Sequence, residues 1–256
     1  MRRTARQAID AGWVVARMNL RNCGGTEPLS TTLYNAGQEQ DVGCVLAALD
    51  RGGAPRPLAV AGFSLGGNLV LLHAGRSADS CVADAVIAVN PPIELERCAD
   101  AIEMPRNRVY QAYYVRRLCT QLRRIAAVRS VPGDPPVPAE IRTVRRFDDR
   151  YTAPDAGFDS AAAYYRASSA APVLDAVRRP ALIVSAEDDP FVPHEMFMRH
   201  HALPHFAFVH PAGGGHCGYI QSGRPWFWAA HALLGFLDSA PVSPRSSPTR
   251  SRRTIR

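Results

Sequence analysis

Residues 58–72, Leu58-Ala-Val-Ala-Gly-Phe-Ser-Leu-Gly-Gly-Asn-Leu-Val-Leu-Leu72, decide how this chain is read. The apolar run Leu58–Phe63 has the length of a buried strand, and a helical pattern starts near Leu65. Between them Gly62-Phe63-Ser64-Leu65-Gly66 matches G-x-S-x-G in the strand–turn–helix setting that a nucleophile elbow requires. A serine at the tip of so tight a turn projects its hydroxyl clear of the sheet. Side chains at both flanking positions are expected to collide with the neighbouring strand and helix, so both are glycine. The helix start leaves backbone N–H groups without carbonyl partners, which makes the Leu65 N–H a candidate oxyanion donor beside Ser64. The alternative is a Gly/Ser-rich turn with no chemistry.

Outward from this stretch, the 256 residues suffice for one sizeable α/β domain. Residues 2–11 read as a helix ended by Gly12, Trp13–Leu20 as a strand, and Gln38–Leu49 as a helix with Val42, Val45, Leu46 and Leu49 on one face. Ala85–Val89 is the next strand, stopped by Asn90-Pro91-Pro92. The strand Ala181–Ser185 comes only after about ninety residues, too many for a simple crossover. Helical patterns at Glu94–Ile102, Val109–Ala127 and Asp159–Ala167, around a Pro-rich break at Val131–Pro138, mark that insertion as a helical cap. A helix near His194–His201, a strand at Phe206–His210 and an apolar helix at Trp226–Leu237 resume the alternation. The expected organisation is a core over 1–90 and 180–239, a cap over 91–179, and a disordered Arg-rich tail over 240–256.

The net charge is +7 and every basic residue is arginine. Five of those arginines lie between Pro241 and Arg256, so the body is close to neutral and the charge does not indicate a nucleic-acid partner. Six scattered cysteines with no C-x-x-C pair suit reduced thiols in a cytoplasmic protein, and no His/Asp/Cys set has metal-ligand spacing. No apolar run reaches membrane-spanning length, and Asp10 and Arg17 break any leader-like segment. No stable membrane insertion is expected.

A nucleophilic serine needs a base, and the base an orienting acid, in the chain order Ser, Asp, His. Both follow predicted strand ends. Ala181–Ser185 leads into Ala186-Glu187-Asp188-Asp189-Pro190, and Phe206–His210 into Pro211-Ala-Gly-Gly-Gly-His216. The glycines let a loop carry His216 over the sheet edge. Asp188 and Asp189 compete for the acid. The other histidines lie within or beside helices, or, like His210, at a strand end.

At this point the chain resembles the YheT-like branch of the α/β-hydrolases, which includes plant embryogenesis-associated proteins. The resemblance covers nearly all of residues 1–239. It rests on Asn19-Leu20-Arg21, Cys23-Gly24-Gly25, the elbow through Asn68, Asn90-Pro91-Pro92, Asp188-Asp189-Pro190-Phe191 and Gly214-Gly215-His216-x-Gly218. Its most specific part is Arg146-Phe147-Asp148-Asp149, Thr152-Ala153-Pro154, Gly157-Phe158 and Tyr164-Tyr165, which read without the family is a solvated, turn-rich loop. The resemblance implies a mostly parallel sheet with helices on both faces, a Ser64–Asp189–His216 triad, and hydrolysis of small acyl esters or lipid esters without a cofactor. It assigns the acid to Asp189, just before the P-x-V-P turn.

Two departures from the family stand out. Asn22 replaces the usual glycine after Arg21. The upstream strand and His-Gly loop that carry a second oxyanion donor do not precede this sequence, so the slot between Trp13–Leu20 and Leu58–Phe63 is expected to lack its strand and the chain reads as N-terminally truncated. Two function classes follow: a serine ester hydrolase, or a catalytically impaired protein of the same fold acting as a binding or interaction module.

Overall fold

A computed structural model of the chain describes residues 2–131, 140–223 and 226–240. The tail beyond Ala240 and most of the Pro-rich break lie outside the described residues. Four parallel strands form one sheet in the order β1 (Ala59–Phe63), β2 (Ala85–Val89), β3 (Ala181–Val184) and β4 (Phe206–Val209). β2 and β3 are buried along their whole length, as a parallel sheet covered on both faces requires. Their side chains alternate between two cores. Val86, Ala88, Ala181 and Ile183 face one core; Ile87, Val89, Leu182 and Val184 face the other.

The first core is filled mainly by α3 (Leu65–Ser77), which starts directly after Ser64. Every residue of α3 from Gly67 to Leu72 is buried, and α2 (Glu39–Arg51) packs against it through Val42 and Leu46. Gly75 admits the backbone of Val173, whose carbonyl oxygen would lie 2.4 Å from an added Cβ. The opposite face is covered by α10 (Trp228–Ser239), the helix after the short α9 (Glu195–Met198), through Ala229 and Leu233. α1 (Arg2–Asp10) lies beside α10.

Between β2 and β3 come α4 (Leu95–Glu103), α5 (Arg108–Ala126), α6 (Val144–Phe147), a π-helical turn (Asp148–Thr152), α7 (Ala153–Asp155) and α8 (Ala161–Ser168). Val115, Cys119, Leu122 and Ile125 of α5 close on Phe147, Tyr151 and Leu33 as a core of their own. The alternative of a solvated, turn-rich loop over the Phe147–Pro154 string, the reading without the family, does not hold. These residues are helical, and Phe147, Tyr151, Thr152 and Ala153 are buried. The string's two aspartates and the adjoining Asp155 bind groups remote in sequence: Asp148 accepts from the Tyr165 hydroxyl at 2.6 Å, Asp149 from the Ala161 N–H at 2.6 Å, and Asp155 from the Leu33 N–H. Burial pushes the Asp148 carboxyl up to about 6, against the opposing pull of its Tyr165 and Thr152 hydrogen bonds.

One expectation fails. Trp13–Leu20 is not a strand; among the described residues β1 pairs with β2 alone. A cavity of about 510 Å³ separates the segment from β1, lined by Trp13, Val14, Ala16 and Met18, by Val42, Leu46 and Leu49 of α2, and by Leu58–Ala61. Among the described residues no backbone hydrogen bond joins the segment to β1.

Candidate active site

Ser64 sits at the tip between β1 and α3 with φ 50° and ψ −124°, a conformation that costs about 1–3 kcal/mol for a residue with a side chain. The turn is held by Ser64 N–H donating to the Val89 carbonyl at 2.8 Å and Gly67 N–H donating to the Ser64 carbonyl at 2.8 Å. A Cβ on Gly62 would lie 2.1 Å from the Gly66 carbonyl oxygen, so glycine is required there. The same expectation fails for Gly66, which has open space where its Cβ would be. The crowded partner is Gly67, whose Cβ would come within 3.0 Å of Pro91. Leu65 is the first residue of α3, so its N–H has no carbonyl one turn back and lies beside the serine.

The three remote groups converge at the C-terminal ends of the strands. His216 Nε2 lies 2.8 Å from Ser64 Oγ, and His216 Nδ1 lies 2.8 Å from Asp189 Oδ2. An ionised carboxylate only accepts, so Nδ1 carries the proton and the Nε2 lone pair faces the serine hydroxyl. The Asp189 side chain is completely buried. Burial raises its pKa, but the hydrogen bond and charge of His216, the Phe191 N–H and the Asn90 amide outweigh that, and the carboxyl ends below its ordinary value. Its Oδ1 accepts from the Phe191 and Val192 N–H groups at 2.9 and 3.1 Å. Asp188 does something else: its Oδ1 accepts the Gly215 N–H at 2.7 Å and so shapes the His216 loop, where Gly215 has φ 51°.

Two groups around Asp189 went unrecognised in the sequence. Asn90 is fully buried with φ 46°; its side-chain amide donates to Asp189 Oδ2, the same oxygen that meets His216. The Tyr219 hydroxyl in turn donates to Asn90 Oδ1. Asn90-Pro91-Pro92 was legible as a strand stop, but nothing in that triplet points to a carboxylate ninety-nine residues away. Phe191 stands edge-on to His216 at 5.1 Å and to Tyr110 of α5 at 4.9 Å, forming an aromatic wall. Burial pushes the neighbouring Cys217 thiol up to about 12, which makes it a poor nucleophile. Among the described residues no group of three His, Cys, Asp or Glu is placed to hold a metal ion. Two cavities among the described residues, about 510 and 520 Å³, lie away from the serine, beside β1 and between α2 and His73.

Two quoted motifs also acquire partners. Asn68 of the elbow helix donates to the Ala36 and Ser168 carbonyls at 3.3 and 2.8 Å and accepts the Ala170 N–H at 3.0 Å, which ties α3 to the inserted helices. Asn22 has φ 58°, the left-handed region that asparagine tolerates best after glycine, which accounts for its departure from the family glycine. Arg21 beside it grips Asp41 with two hydrogen bonds of 2.7 Å.

The profile of the alpha/beta hydrolase fold family matches residues 3–222. The chain belongs to the α/β-hydrolase family. Within it the chain is of the YheT type: it is 34% identical over 236 residues to the Escherichia coli protein YheT, whose name carries esterase as a provisional label, covering 89% of this chain and 68% of that one. A Saccharomyces cerevisiae protein named monoacylglycerol lipase is 28% identical over 229 residues, covering 86% of this chain and 51% of that one. The chain thus spans about two thirds of the first relative and about half of the second. A solved esterase of Pyrococcus furiosus superposes with a TM-score of 0.57 at 14% identity, over 93% of this chain and 76% of that one, a likeness of fold. No helix among the described residues is long and apolar enough to cross a membrane.

Proposed function

We propose that this α/β-hydrolase cleaves carboxylic esters through an acyl-enzyme, with Ser64 as nucleophile, His216 as general base and acid, and Asp189 as the orienting carboxylate. The observation that carries the reading is the unbroken chain Ser64 Oγ–His216–Asp189, with both contacts at 2.8 Å. As Ser64 attacks the acyl carbon, its proton passes to Nε2, and the buried Asp189 charge stabilises the imidazolium that results. The Leu65 N–H stands where oxygen charge develops in the tetrahedral intermediate. His216 then returns the proton to the leaving alcohol, and water attacks the acyl-serine by the same route. The esterase and lipase names of the relatives support ester substrates, and the monoacylglycerol lipase supports lipid esters among them. Asn90 and Tyr219 act as positioning residues that fix the Asp189 carboxylate.

The second reading, a catalytically impaired binding module of the same fold, draws on the gap beside β1. A strand laid in that gap would pair with β1 and could bring a second oxyanion donor; without such a donor, kcat falls by about 10²–10³. Hydrolysis of p-nitrophenyl butyrate, compared between the chain and its Ser64→Ala variant, separates the readings. Turnover that vanishes with Ser64 supports the hydrolase. Absence of turnover in both, with the fold intact by circular dichroism, supports the module.

A further inference from the structure

Helix α5 and the residues beside it carry charge of one sign. Between Met104 and Val131 the chain has seven arginines and no aspartate or glutamate. The helix buries Val115, Cys119, Leu122 and Ile125. At 100° per residue, Val109, Tyr113, Arg116, Arg117 and Arg124 all fall on the opposite side, within one arc of about 100°. All five are exposed. Its first turns expose apolar side chains beside Arg106 and Arg108: Val109 is 72% exposed, Tyr113 58% and Tyr110 50%, with Met104 just before the helix at 43%. The other five arginines of the segment lie in or just after its later turns. Among the described residues, Arg116, Arg117 and Arg124 are in no salt bridge.

The apolar end adjoins the candidate catalytic residues. Asn107, at the start of α5, donates to the Pro190 carbonyl at 2.7 Å, one residue from Asp189. Tyr110 and Tyr114 both pack edge-on against Phe191, which packs on His216.

We propose that the exposed face of α5 docks the protein on an anionic lipid surface, with Met104, Val109 and Tyr113 entering the headgroup layer and the arginines resting on lipid phosphates. The charge is complementary to such a surface, and a face combining aliphatic and tyrosine side chains with arginines suits the water–acyl boundary. A polynucleotide would use the arginines but gain nothing from Val109 or Met104, so the apolar end favours the lipid. Docking in this pose sets the Phe191–His216 wall near the lipid, a consequence for turnover that rests on the proposed ester hydrolysis.

The test measures binding apart from catalysis. The whole chain carrying Ser64→Ala is floated with vesicles of phosphatidylcholine containing about 30% phosphatidylglycerol, and with phosphatidylcholine alone. The expected result is binding to the anionic vesicles at least about tenfold tighter, weakened by about 0.5 M salt. Arg116→Glu with Arg117→Glu should weaken it by about tenfold or more, and Val109→Ser with Tyr113→Ser by about fivefold. With Ser64 restored, both double variants should hydrolyse p-nitrophenyl butyrate as the parent does. Because residues 241–256 carry five more arginines, the comparison is repeated without them, and the effect of the α5 variants should persist. Equal binding to both vesicles, α5 variants that bind like the parent, an effect that vanishes with the tail, or a duplex DNA bound more tightly than the vesicles and insensitive to Val109→Ser would each overturn the proposal. Vesicle binding without any ester turnover would overturn only the hydrolase reading.

Discussion

The two flanks of β1, the strand that delivers Ser64, are built differently. Toward β2, all five residues from Ala59 to Phe63 are in register with a strand that is completely buried. The same side supplies Val89 to the elbow, Asn90 to Asp189, and the loops that hold Asp189 and His216. Away from β2, β1 faces a cavity of about 510 Å³ and an extended segment that forms no ladder with it. The Ser64–His216–Asp189 contacts are nonetheless complete, because every group that fixes them comes from the β2 side. The contacts among these three side chains depend on the strand ends and loops that carry them and are kept beside a gap one strand away. The Leu65 N–H, the proposed oxyanion donor, also lies at the start of α3 directly after Ser64.

The largest effect that would sharpen this contrast lies within the acid pair. Asp189→Asn should lower kcat by about 10⁴, because the amide stabilises the wrong tautomer of His216. Asp188→Asn keeps an oxygen that can accept the Gly215 N–H and should cost about tenfold or less. Steady-state kinetics on the two variants decides it, and the reverse order would move the acid to Asp188.

Next in size is the support for Asp189. Asn90→Ala should cost about 10–100-fold in kcat, the equivalent of about 1–3 kcal/mol for one lost hydrogen bond to a buried charge. Tyr219→Phe should cost less, since it loosens Asn90 only. If kcat is unchanged in both, the two residues serve packing alone.

The contrast can be broken directly by amide hydrogen exchange. The buried N–H groups of β2 and β3 should exchange at least about a hundredfold more slowly than those of Trp13–Leu20. Equal protection would mean that the segment is paired in solution and that the gap beside β1 is closed.

The smallest effect concerns the inserted helices. The Asp148 carboxyl is raised to about 6, so the folded state holds its proton more tightly than the unfolded chain does. Stability is therefore lost as pH rises from about 4 to about 6, and levels off above. Asp148→Asn keeps an oxygen that can accept from Tyr165 and cannot ionise. Its Tm relative to the parent should climb by roughly 5 °C between pH 4 and pH 7. A difference that stays flat with pH would remove the buried charge from the account.

What the sequence disclosed and what it hid divides along the same physical line. Ser64 and His216 lie in short motifs after strand ends, so local pattern pointed to them; it left Asp188 and Asp189 open, and the family resemblance chose Asp189. Ala85–Val89 was legible to the residue because five apolar residues end at an asparagine and two prolines. Trp13–Leu20 has the pattern of a strand, but a strand also needs a neighbour, and no local pattern shows whether one is present. The Phe147–Pro154 string looked solvated because its aspartates and the adjoining Asp155 are polar, while their partners, Tyr165, Ala161 and Leu33, are brought to them only by folding. Asn90 and Tyr219 escaped notice for the same reason.

The most direct test of the central claim is labelling with a fluorophosphonate probe, which reacts with a serine only when its proton is taken by an aligned base. The chain should be labelled at a single peptide containing Ser64, and the labelling should be lost in Ser64→Ala and in His216→Ala. A folded chain that remains unlabelled, or one whose label survives Ser64→Ala, would contradict the account.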